Sequence, residues 1–101
     1  MNAYLVVLHP DPVLVGGRHQ NLLDAIQSYK FLRLSPTPIF LIAARGSVKD
    51  VWRKLFDDNE SDFSQDDRLY VIPVCKPFEG YCQKHLRPWF EENIPDEYLV
   101  N

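Results

Sequence analysis

The chain has 101 residues, of which 46% are hydrophobic, with six Phe, five Tyr and two Trp. That is enough apolar surface for one core and too little length for a second independent domain. A net charge of −3 excludes a global field that would draw the protein onto a polyanion, so any nucleic-acid contact needs a local basic patch. Two cysteines are too few for the disulfide framework of a small secreted domain.

Ala3-Tyr-Leu-Val-Val-Leu is a continuous run of β-branched and aromatic types, which predicts a first strand ended by Pro10 and Pro12. Gly16-Gly17 frees the backbone before Leu22, Leu23, Ile26 and Tyr29, whose helical spacing predicts a helix from about Arg18 to Lys30. Phe31 to Ser35 and Ile39 to Ala44 read as two strands of a hairpin, separated by Pro36 and Pro38, which lack the N–H that a regular ladder needs. Gly46-Ser47-Val48-Lys49-Asp50 reads as a capped helix entry, with Val48, Val51, Trp52, Leu55 and Phe56 forming the buried stripe.

The acidic segment from Asp57 to Asp67 reads as a solvated loop around Phe63, without the glycine and closing glutamate of a calcium loop. Leu69 to Val74 predicts a last strand, and Pro73 within it predicts an edge position or a bulge near its end. In the tail, Pro88 marks the first turn of a short helix running through Glu92.

The order β-α-β-β-α-β predicts an α+β, ferredoxin-like sandwich: an antiparallel four-stranded sheet with two helices on one face, plus a C-terminal tail with a short helix. The expected division is a ferredoxin-like domain over residues 1–77 and a tail over 78–101 that forms a dimer interface or covers an edge. The longest near-apolar run, Ile39 to Ala44, is far short of the ~20 residues of a membrane-spanning helix. No membrane association and a reduced, cytoplasmic location are the expectations.

Several of these segments together carry a family resemblance. Tyr4-Leu-Val-Val-Leu, Arg33-Leu-Ser leading into Ile39-Phe-Leu-Ile, the Ser47 helix entry and Asp66-Asp-Arg-Leu-Tyr-Val-Ile-Pro-Val resemble the small CRISPR adaptation-subunit family and its stand-alone relatives, over about residues 3 to 75. That family consists of ferredoxin-fold, endoribonuclease-like homodimers whose sheets face one another. Many members carry an aspartate at the end of the first strand that is proposed to bind a divalent metal at the dimer axis. Here that position is His9, and Asp11 lies two residues later between prolines.

The resemblance therefore implies a small homodimeric binding module, leaning non-catalytic, that acts through a protein or nucleic-acid partner. One alternative is a metal-dependent endonuclease with Asp11 as the catalytic carboxylate, His9 and Asp11 as metal ligands, and magnesium or manganese as cofactor. Against it, Pro10-Asp11-Pro12 also describes an ordinary strand-end turn, and without nuclease activity no cofactor is expected. A second alternative is a mobile-element interference protein that occupies another complex with a family-like surface or its acidic 57–67 segment, and either that segment or the C-terminal tail is the expected surface for a protein partner.

The remaining candidates are each matched by a plainer reading. Cys75, Cys82 and His85 lack the paired spacing of a structural zinc site and read equally as free buried cysteines. Gly16-Gly17-Arg18-His19 can receive a phosphate at a helix start but equally just forms a turn. Lys76, Lys84 and Arg87 interleave with Phe78, Tyr81, Trp89 and Phe90, which suits nucleic-acid stacking or, preferred here because acids share the same tail, docking of the rings at a protein interface.

Overall fold

The computed structural model describes residues 1–9, 19–34, 38–77 and 86–99. Four strands, β1 (Asn2–His9), β2 (Lys30–Arg33), β3 (Ile39–Ala44) and β4 (Arg68–Val74), form one antiparallel sheet in the order β2-β3-β1-β4. With α1 (Gln20–Gln27) between β1 and β2 and α2 (Val48–Leu55) between β3 and β4, this is the split βαβ arrangement predicted from the sequence. A third helix, α3 (Arg87–Asn93), has Pro88 in its first turn, as expected. No helix among the described residues is long and apolar enough to cross a membrane.

Side-chain alternation divides the sheet into two faces. Tyr4, Val6 and Leu8 of β1 and Phe40, Ile42 and Ala44 of β3 join Leu22 and Ile26 of α1 and Val51 and Leu55 of α2 in the main core. The same period puts Ala3, Leu5, Val7 and His9 on the opposite face with Leu41 and Ala43.

The local signals at α2 act as the sequence suggests. Ser47 Oγ accepts from the Asp50 N–H, and the Asp50 carboxylate accepts from the Ser47 N–H, forming a reciprocal capping box. Gly46 precedes it at φ +99°, where a Cβ would lie 2.7 Å from Asp50 Oδ2, so glycine is required both by backbone and by space. At the other end, Asn59 Nδ2 donates to the Lys54 and Leu55 carbonyls that the helix leaves unpaired.

The second face is closed in part by the chain's own tail rather than left entirely for a second copy. Glu92 of α3 reaches Lys30 of β2 at 3.9 Å, while the Lys76 N–H, just beyond β4, donates to the Pro95 carbonyl at 2.8 Å. The tail thus crosses one end of the sheet from β2 to β4, and Ile94, Ala3, Leu41 and Ala43 are buried there. Along β4 itself the face stays open, with Tyr70 and Ile72 52% and 45% exposed. Past that end, Tyr98 OH accepts from the Val48 N–H at 2.9 Å, supplying one of the partners that a helix start needs.

Candidate functional site

Strand pairing decides which polar side chains meet. His9 lies opposite Arg68 and Val7 opposite Tyr70 in the β1·β4 register, all four on the face away from the helices. With Asp66 from the preceding turn they line a cavity of about 420 Å³. His9, Asp66, Arg68 and Tyr70 are all exposed. Arg68 directs one guanidinium N–H to the Asp67 carbonyl at 3.2 Å. An imidazole, a guanidinium and a phenol ring therefore surround one opening together with the Asp66 carboxylate, an arrangement that offers a ring for stacking and one guanidinium for an anionic group.

His9 thus keeps different company from the metal reading. Its cross-strand neighbour is the cation Arg68, and Asp11 lies outside the described residues. Among the described residues no group of three or more His, Cys, Asp or Glu side chains is placed to hold a metal. Cys75 is exposed with a free thiol, while Cys82 and His85 fall outside the description. Of the aromatic and basic tail, Lys76 and Arg87 are exposed, Trp89 and Phe90 are half-buried, and Phe78, Tyr81 and Lys84 lie outside it.

The acidic segment departs most from its reading as a solvated loop. Asp57–Asp62 forms a 3₁₀ turn, and the Asp62 carboxylate accepts from the Asn21 and Leu22 N–H groups at 2.9 and 3.2 Å. These are first-turn amides of α1, so a carboxylate from the chain itself holds the place considered for a phosphate after Gly16-Gly17. Asp67 is further removed from solvent. Its side chain is fully buried, with Oδ2 2.9 Å from His19 Nε2 and accepting the Ser64 N–H at 2.8 Å. Ser64 Oγ has no hydrogen bond, so Ser64, His19 and Asp67 do not form a nucleophilic relay.

Nothing in the spacing of His19 and Asp67, 48 residues apart, announces this pair. The one local signal is the residue type, because His19 sits at φ +68°, a left-handed conformation in which His is more common than most non-glycine residues. Around it runs a chain of rings: His19 meets Phe63 edge-on at 5.4 Å, Phe63 meets Phe56 at 4.9 Å, and Phe56 stacks on Trp52 at 5.0 Å with 20° between planes.

Beside these rings, two further openings follow the α2 side of β4. One of about 480 Å³ is bounded by Trp52, Phe56, Glu60, Phe63, Asp67 and Arg68; an apolar one of about 310 Å³ lies against Val48, Trp52, Val71 and Ile72. All three openings thus border one strand.

No protein-family model, curated protein or solved structure matches the chain. The functional reading consequently rests on geometry and on the resemblance carried by the segments quoted above.

Proposed function

We propose that this protein is a dimeric, non-catalytic binding module related to the CRISPR adaptation subunit, and that it engages single-stranded nucleic acid through the β1·β4 end of its open sheet face. The observation that carries this reading is the register pairing His9 with Arg68 and Val7 with Tyr70 around one cavity. Tyr70 offers a ring on which a base can stack irrespective of its identity. Arg68 and His9 lie two residue pairs along the register on the same face, about 7 Å from Tyr70 and Val7, and supply the polar groups that a neighbouring phosphate would meet. The chain's net charge of −3 makes the contact local and strongly dependent on ionic strength.

Fluorescence anisotropy with short RNA and DNA oligonucleotides at low salt tests this reading. Tyr70→Ala is expected to weaken binding about tenfold, the scale of one lost base stack. Arg68→Ala is expected to lower the salt slope by about one charge equivalent. Absence of saturable binding to either nucleic acid at 50 mM salt would sink the reading. Including manganese and an Asp11→Ala variant tests the nuclease alternative in the same experiment.

The dimer is supported by the outer edge of β4, which no strand among the described residues pairs. The Leu8 N–H donates to Pro38 of the β3 side, so alternate β1 residues, Ala3, Leu5, Val7 and His9, direct their backbone groups to β4. Their partners Arg68, Tyr70, Ile72 and Val74 are thereby used, and Leu69, Val71 and Pro73 point theirs outward.

Pro73 stands where its missing N–H costs no bond to β1. Leu69 and Val71 can then pair with Val71 and Leu69 of a second copy about a twofold axis at Tyr70. Val71→Pro removes an outward donor without touching the β1 ladder. Sedimentation at tens of micromolar is expected to give a dimer for the wild type and a shift toward monomer for this variant. A monomeric wild type would overturn the edge-pairing model.

A further inference from the structure

We infer that the groove between α2 and β4, on the helix-bearing side of the sheet, receives a second copy of this chain, with α2 packed against its own symmetry mate. The inference rests on the β4 edge pairing proposed above and names the further surface that completes that interface. Leu69 and Val71 alone offer outward backbone groups before Pro73 ends the ladder. A contact confined to them buries far less than the ~1,000 Å² that a stable interface needs. The groove supplies the missing area.

Antiparallel pairing of one edge with its own copy requires a twofold axis perpendicular to the sheet, so the helix-bearing faces of both copies lie on the same side. On that side Leu69 and Val71 turn their side chains toward the core, while Val51 and Leu55 seat α2 beside β1. Val48 and Trp52, on the adjoining face of the helix, border β4 and are half-buried. A helix lying over β1 and β4 stands one strand spacing from an axis just beyond β4. Two copies of α2 are then about 10 Å apart, an ordinary helix-packing distance.

The openings of about 310 and 480 Å³ share Trp52, Leu69 and Tyr70, so they form one groove whose middle lies beside the axis at Tyr70. The start of α2, at Val48, adjoins Ile72, and its end, at Phe56, adjoins Arg68. Trp52 therefore meets its own copy near the axis, where its ring, stacked on Phe56 at 5.0 Å, contributes a large apolar surface of the kind that anchors interfaces.

The distribution of charge along the groove selects this occupant. Lys49 lies at one end and Glu60 at the other, both exposed. Balanced charges favour no small ion, but a twofold axis at the middle exchanges the ends, so that Lys49 of each copy faces Glu60 of the other. Arg68, also at the Glu60 end, donates to the Asp67 carbonyl, and the exposed Asp57 and Asp58 flank Glu60 along the 3₁₀ turn.

Charge reversal tests the exchange. Lys49→Glu and Glu60→Lys each place like charges at both ends of their own homodimer. Each is expected to weaken dimerisation about tenfold in sedimentation equilibrium, the scale of two solvent-screened pairs turned repulsive. An equimolar mixture of the two variants should recover the wild-type dissociation constant to within about threefold, because the heterodimer restores opposite charges at both ends. The wild type supplies a second readout that no variant's folding can disturb. Its Trp52 indole N–H resonance should shift on dilution through the dissociation constant, while that of Trp89, the other tryptophan of the chain, stays in place.

A dimer that yields to Val71→Pro but to neither reversal, or whose Trp52 resonance ignores dilution, would overturn the groove contact and leave edge pairing standing. Weakening by both variants without recovery in the mixture would overturn the exchange and with it the groove assignment. A monomeric wild type would overturn both readings.

Discussion

Asp67→Ala is expected to destabilise the fold by about 3 kcal/mol, the cost of removing one member of a buried, hydrogen-bonded polar cluster. The Asp67 carboxylate is fully buried and faces both His19 Nε2 and the Ser64 N–H. Without it, the His19 ring, itself only 6% exposed, loses the carboxylate that lies 2.9 Å from its Nε2.

The damage extends through the fold, since this contact and the Asp62 bonds to Asn21 and Leu22 together tie the start of α1 to the segment that enters β4. The urea midpoint measures the loss, and Asp67→Asn separates its causes. If charge pairing with His19 dominates, asparagine behaves like alanine. If acceptor capacity dominates, asparagine recovers most of the stability. An alanine variant with an unchanged midpoint would mean that the pair contributes nothing.

The second large effect is expected at Asn2, a buried polar residue at the start of β1 that anchors the far end of the chain. Its Nδ2 donates to the Gly46 and Leu99 carbonyls at 3.0 and 2.8 Å, and its Oδ1 accepts the Leu99 N–H at 2.9 Å. Beside it, Tyr4 OH donates to the Gly46 carbonyl at 2.8 Å, and the Tyr4 and Tyr98 rings meet edge-on at 6.0 Å. Burial, reinforced by the hydrogen bond with Tyr98, pushes the Tyr4 phenol well above its usual value and keeps it a neutral donor.

Asn2→Ala removes both donors and the acceptor at once, and about 2–4 kcal/mol is expected from hydrogen bonds of this kind. Amide exchange gives the specific readout. The Leu99 N–H should lose protection together with the Val48 N–H that Tyr98 receives, while the middle of β1 stays protected up to global unfolding. Unaltered protection at Leu99 would show that the tail is held by packing alone.

The β4 edge is the surface on which the functional proposals converge. Its outward Leu69 and Val71 groups suit a second copy, and its open-face Tyr70 and Arg68 border the cavity proposed for nucleic acid. Pro73 limits how far another strand can pair, a common means of keeping an exposed edge from indiscriminate association.

The elements themselves were legible because short-range patterns specify them. Period-3.6 spacing of Leu22 and Ile26, the Ser47–Asp50 box and the prolines at 73 and 88 each act within a few residues, and each appears in the fold where its pattern places it. The helix ends were less legible. The pattern extended α1 to about residues 18–30, whereas it spans Gln20–Gln27 because His19 adopts a left-handed conformation and the chain enters β2 at Lys30. The acidic segment was misread as solvated since composition does not say which carboxylates find buried partners. Asp62 and Asp67 do, while Asp57, Asp58, Glu60 and Asp66 remain exposed.

By itself, the sequence determined the order of strands and helices and the faces they bury, because side-chain periodicity and local capping act before any distant contact forms. The tertiary structure alone decided the candidate sites. His9 meets Arg68, His19 meets Asp67 and Asn2 meets Leu99 across separations of 59, 48 and 97 residues. Such pairings follow from strand register and from the path of the tail, and no local pattern encodes either.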